Sequence, residues 1–168
     1  MPMKRWSRFL VLAAVLVQAG CGYHLRGSIE MPAALKSLYI FGASGPLQNE
    51  MQQIMRASKG KLAPTPDDAG VVIKVLKEDM RSRVLSIGST GKSSESELEY
   101  YLRFQFFDAK ETAMMDEQVI ELSREFFNDQ TAVLAKTNEE QLIRSEIYKQ
   151  AARMILARAR VAIDNQNK

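Results

Sequence analysis

The chain has 168 residues, 46% of them hydrophobic and 26% charged, with a formal net charge of +3, one cysteine and one histidine. That length and composition suit one globular domain and exclude a largely disordered chain. A single cysteine cannot close an intramolecular disulfide and a single histidine cannot begin a zinc cluster, so no metal and no cofactor are expected.

The positive excess is confined to the start of the chain. Lys4, Arg5 and Arg8 precede every acid, the first of which is Glu30, so a chain beginning at Cys21 is formally neutral and carries no nucleic-acid signal. Met1 to Arg8 is basic, Phe9 to Val17 is apolar, and "QAGC" follows with small residues at Ala19 and Gly20. This is the three-part pattern of a secretory signal peptide over 1–20. The apolar run falls well short of the roughly 20 residues of a membrane-spanning helix. The small pair directly before Cys21 resembles the bacterial lipobox, whose cysteine is acylated and becomes the first mature residue, although Gln18 stands where an aliphatic residue is usual. Acyl chains turn a soluble domain into an anchored one at about 0.8 kcal/mol per buried CH₂. In such signals Asp after the cysteine favours the inner membrane; here Gly22 follows, which implies the periplasmic side of the outer membrane. The plain alternative is a secreted protein with a free thiol.

Residues 21–34, with Tyr23, His24, Leu25 and Arg26 ahead of Gly27, read as a tether, and 35–168 as one domain. "LKSLYIFG", Leu35 to Gly42, is a strand candidate closed by glycine. "GPLQNEMQQIMRAS" sets Leu47, Met51, Ile54 and Met55 at helical spacing, with Pro46 suited to a first turn. Lys59 to Gly70, containing Pro64, Pro66, Asp67 and Asp68, reads as a loop. Strand candidates follow at Val71–Ser86, Leu98–Ala109 and Gln118–Phe127. In the second, Leu98, Tyr100, Leu102, Phe104 and Phe106 alternate with Glu99, Tyr101, Arg103 and Gln105, which predicts one buried and one polar face. In "TNEEQ", Asn138 is placed to cap a helix with Gln141 three residues on, and Glu139 and Glu140 suit its first turn. Ile143, Ile147, Ala151, Met154 or Ile155, Ala159 and Ala162 continue the period, with Lys149, Arg153, Arg158 and Arg160 toward the end. The expected class is α+β, a βαβββα sandwich with two helices on one face of a four-stranded mixed sheet.

Chemistry is sparse. "SIGSTGKSS", Ser86 to Ser94, imitates a phosphate loop, but Ser86 stands where the first glycine belongs and an alternating strand follows where a helix is required. His24 has neither nucleophile nor orienting partner nearby, and no serine elbow or HExxH motif occurs, so no catalytic residue and no enzymatic activity are expected. What remains is a set of cations near strand ends and loops: Arg81, Arg83, Lys92, Arg103 and Lys136. Singly they read as solvated surface; together they could meet the phosphates of an amphiphile beside an apolar strand surface.

"CGYHLRG", Cys21 to Gly27, and "REFFNDQTAVLAKTNEEQLIRSEIYKQAARMIL", Arg124 to Leu156, resemble the LPS-assembly lipoprotein family LptE. The resemblance implies two helices on a four-stranded sheet, anchored in the outer membrane through acylated Cys21. It implies a 1:1 complex with the LptD β-barrel, as plug and assembly factor in lipopolysaccharide transport to the cell surface. It also implies basic contacts to lipopolysaccharide, carried over to Lys136 in the Ala-Lys motif and to Lys92, with Arg83 joining them from the cation set. The rival reading is an outer-membrane lipoprotein that scaffolds another envelope machine and binds no lipid.

Overall fold

The computed structural model describes residues 31–87, 93–127 and 133–166. After a 3-10 turn at Ala33–Lys36 the elements are β1 (Ser37–Phe41), α1 (Gly45–Ala57), β2 (Lys61–Leu62), β3 (Val71–Ile87), β4 (Ser93–Phe107), β5 (Gln118–Phe127) and α2 (Val133–Gln166). The strands form one mixed sheet in the order β2-β1-β3-β4-β5. β1 runs parallel to β2 and β3, while β3, β4 and β5 are antiparallel neighbours. The expected sandwich is present with a fifth strand. The stretch read as a loop contains β2, and beside it Ala63 donates to the Leu38 carbonyl at 2.8 Å, pairing the outer side of β1 that would otherwise be bare.

Both helices cover the same face. Leu47, Met51 and Met55 of α1 and Ile147, Ala151, Ile155, Ala159 and Ala162 of α2 are buried against Leu38, Ile73 and the odd-one-out alternation of β4, whose Leu98, Tyr100, Leu102, Phe104 and Phe106 all lie inward. The alanines keep the α2 backbone close to the sheet. Inside, Phe104 and Phe106 meet edge to face at 5.2 Å, and Tyr100 meets Tyr148 in the same manner at 5.4 Å.

Two local devices set the geometry. Gly42, at φ 78°, turns the chain from β1 toward α1 where a Cβ would stand 2.9 Å from the Val75 carbonyl oxygen. Ser44 then caps α1, its hydroxyl accepting from the Leu47 amide at 3.4 Å, with proline in the first turn as the sequence indicates. In β3 the register slips between Val75 and Lys77, leaving Leu76 as an extra residue. Before this bulge Val71 and Ile73 face the core; beyond it Glu78 and Met80 pair with Leu102 and Tyr100 and turn inward, while Lys77, Asp79, Arg81 and Arg83 turn to the uncovered face.

α2 begins earlier than the cap signature predicts: Asn138 lies inside the helix, since Val133, Leu134 and Ala135 offer no breaker and continue it toward the N-terminus. Lys136, expected just ahead of the helix, is therefore in its opening turns. At the free edge of β5, Arg158 donates to the Val119 carbonyl and Arg124 to the Ser123 carbonyl, both at 2.7 Å, so side chains occupy acceptors that another strand would need.

Candidate functional site

Of the basic positions singled out from the sequence, the connectivity sets Arg83 and the start of α2 near one end of the sandwich, while Arg103, paired with Lys77 and Val119, lies away from it. Glu95 of β4 pairs with Phe127 of β5, and Ile87 of β3 with Ser93 of β4, so the end of β3, the start of β4 and the end of β5 lie together. The chain enters α2, with Lys136, a few residues after Phe127. Lys92 lies outside the described residues, in the connection between β3 and β4, as do Cys21 and His24 near the start of the chain.

Arg83 is placed on the uncovered face, 60% exposed, and its position there is held by acids across the register. Its Nη2 donates to Glu97 Oε2 at 2.6 Å and lies 3.4 Å from Glu99 Oε1. The hydrogen bond from Arg83 holds the Glu97 carboxyl below the ordinary glutamate range against the opposing pull of desolvation, and the same bond raises the Arg83 guanidinium further. On the same face Arg81 is paired with Asp79 at 2.6 Å, Arg103 with Glu117 at 3.6 Å, and Lys77 lies over the Tyr101 ring at 5.2 Å. A shallow hollow of about 470 Å³ runs among Lys77, Arg81, Glu99, Tyr101 and Glu121. The uncovered face is thus a lattice of opposite charges, with no single-sign field. Surface pairs of this kind contribute little to stability, about 0–1 kcal/mol each, but they orient side chains for a polar partner.

Sequence reasoning missed the apolar residues at this end. Val84, Leu85 and Ile87 are 55%, 39% and 68% exposed at the end of β3. Their signal was present in the length of the strand, which carries "VLSI" far beyond the stretch that the helices cover. Val84, Leu85 and Ile87 stand at the same strand end as Arg83.

The phosphate-loop reading does not survive. After "SIGSTGK" the chain enters β4 at Ser93, so no helix N-terminus follows the motif to present its amides to a phosphate.

On the covered side, the Glu78 carboxylate accepts from the Ser44 amide at 2.7 Å, the Ser44 hydroxyl at 2.6 Å and the Tyr100 hydroxyl at 3.1 Å. Burial, with the Glu78 charge beside it, raises the Tyr100 phenol well above its usual range, so it stays a neutral donor to Glu78, and the same two causes raise the Tyr148 phenol. This cluster joins β3, β4 and α1.

Comparison with known proteins gives a consistent set of relatives. The family model described as "LptE: Lipopolysaccharide-assembly" matches residues 34–159. A protein of Photorhabdus laumondii named LPS-assembly lipoprotein LptE is 32% identical over 161 residues, covering 92% of this chain and 85% of that one. One of the same name from Pectobacterium atrosepticum is 31% identical over 150 residues, covering 85% and 78%. Among solved structures, the rare lipoprotein B of Shewanella oneidensis aligns with a TM-score of 0.64 at 25% identity over 79% of this chain and 98% of its own. A lipoprotein B of Nitrosomonas europaea aligns with a TM-score of 0.67 at 24% identity over 85% and 93%, a similarity of fold.

Proposed function

Since the chain belongs to the LptE family of lipopolysaccharide-assembly proteins, we propose that it is a non-catalytic outer-membrane lipoprotein that assists lipopolysaccharide transport to the cell surface, in a 1:1 complex with the LptD β-barrel. The observation that carries this reading is the family match across 34–159, which takes in the whole sheet and most of α2. In this reading residues 1–20 are removed, Cys21 carries the acyl chains on the periplasmic side, 21–34 is the tether, and the rest is the single domain that sits in the barrel.

The surface chemistry supports both halves of the role. A plug in a polar lumen needs a mixed surface that can match donors and acceptors on the wall, and the uncovered sheet face, with Arg83 between Glu97 and Glu99 and Arg103 beside Glu117, has that character. Lipopolysaccharide contact is assigned to Lys136, Lys92 and Arg83 at the hairpin end. Cations there compete for phosphates that divalent metals bridge in lipopolysaccharide aggregates, and Val84, Leu85 and Ile87 lie against the apolar part. Isolation of the tagged full chain from detergent-solubilised membranes tests the partnership. A large β-barrel recovered in equal amount is expected. Recovery of the chain without one, or with a different envelope assembly, overturns the barrel half and favours a scaffold elsewhere.

A further inference from the structure

The uncovered face has a second end, remote from the hairpin, with different chemistry. Around Val72, Tyr39 and Phe107 form a small apolar cluster separate from the main core, and Phe41 beside it is 61% exposed. The Tyr39 and Phe41 rings border a hollow of about 380 Å³, room for one or two side chains. Its rim is acidic. Asp67 stands in the 3-10 turn Pro66–Asp68, Asp108 is fixed by accepting from the Lys110 and Thr112 amides at 2.8 Å each, and Glu111 faces Lys74 at 3.3 Å.

Lys74 shows how the hollow treats a cation: its ammonium lies 4.6 Å over the Phe107 ring while paired to Glu111. Three carboxylates against that one ammonium leave a demand for positive charge, and the Tyr39 and Phe41 rings favour a flat, weakly hydrated cation with an apolar stem. Among the described residues no group of acids is placed to hold a metal ion, which removes a divalent cation as occupant. The acidic rim repels phosphate, which removes an anionic amphiphile. We propose that this hollow docks an arginine, flanked by an apolar residue, from an extended segment of a protein partner. The proposal does not depend on the barrel reading, since it is argued from the rings and carboxylates of this hollow alone.

The test uses the full chain in detergent and a fluorescent hexapeptide of alternating leucine and arginine, with a citrulline-for-arginine peptide as control. Phe41→Ser, and Asp67→Asn combined with Glu111→Gln, should each weaken binding about tenfold, while Glu139→Gln with Glu146→Gln, the same charge change on α2, should alter it less than about twofold. Thermal melts identify any variant that fails to fold, and Phe41, being exposed, is the variant expected to melt as the parent does. Equal loss in the α2 control means general electrostatics and overturns the proposal, as does equal binding of the citrulline peptide or no binding at all. A photo-crosslinker at position 41 in cells then reads the occupant. A crosslink to another protein within a few residues of an arginine, abolished when that arginine becomes glutamate, is the expected result; crosslinks to lipid, to a second copy or to residues 21–30 of the same chain overturn it.

Discussion

Glu78 and Ser44 are joined twice, the carboxylate accepting from both the backbone amide and the hydroxyl of the serine. The pair fastens the N-terminus of α1 to β3 just beyond the bulge, and Tyr100 from β4 completes the cluster. Hydrogen bonds to a charged acceptor are worth about 1.5–3 kcal/mol each and are not additive, so Glu78→Ala should destabilise the domain by roughly 2–4 kcal/mol. Glu78→Gln, which keeps an acceptor and the shape, should cost about half as much. Urea unfolding measures both, and a loss for Glu78→Ala as small as that of an exposed α2 substitution would contradict the role.

The Arg83–Glu97 pair gives a pH signature. Glu97 titrates lower in the folded chain than the 4.5 of a free glutamate. Its contribution is therefore present above the unfolded value and fades as pH falls through the folded one. Arg83→Met should move the Glu97 carboxyl resonance midpoint upward in an NMR titration. The stabilities of the variant and the parent should differ at neutral pH and converge in acid.

Lys136→Glu should weaken lipopolysaccharide binding while leaving the melting temperature within a few degrees, as expected for a surface change. Arg83→Glu is a harsher substitution, since it sets a third carboxylate beside Glu97 and Glu99; it should lower both binding and stability. Titration of the purified chain with lipopolysaccharide separates the two, and unchanged binding by Lys136→Glu would sink the lipid half of the proposed role.

On the proposed reading that acylated Cys21 is the anchor, Cys21→Ser should shift the chain out of the outer-membrane fraction with its fold unaltered. Mass spectrometry of the mature N-terminus checks the same point, because an acylated Cys21 at the first position is expected.

The parts of the fold that were legible are those with a long, one-sided pattern. β4 declares its buried face through five alternating apolar residues, and α2 declares its own through Ile147, Ala151, Ile155, Ala159 and Ala162. β2 was not legible because a two-residue strand has no period and exists only by pairing with β1. The start of α2 was misread because a capping pattern at Asn138 is a local signal, and helix formers on its N-terminal side outweighed it. At the candidate site the residue types could be found but not their pairing: nothing near Arg83 in sequence announces Glu97 and Glu99, which reach it through antiparallel register. Exposure of Phe41 was equally hidden, since apolar residues in a strand carry no mark of which face lacks a cover.

Leu76 has the widest reach of any single residue here. Side chains of a strand alternate with a period of two, so one supernumerary residue exchanges inside for outside for everything that follows. Without it Lys77 and Arg83 would be aimed at the helices, and Glu78 would lose Ser44. The near half of β3 obeys the frame set by β1, and the far half obeys a frame shifted by one. A deletion or insertion anywhere between Val71 and Leu76 would therefore act as a frameshift written in geometry, altering no codon downstream yet reversing the outward identity of β3 from Lys77 to Val84, where the next register shift begins.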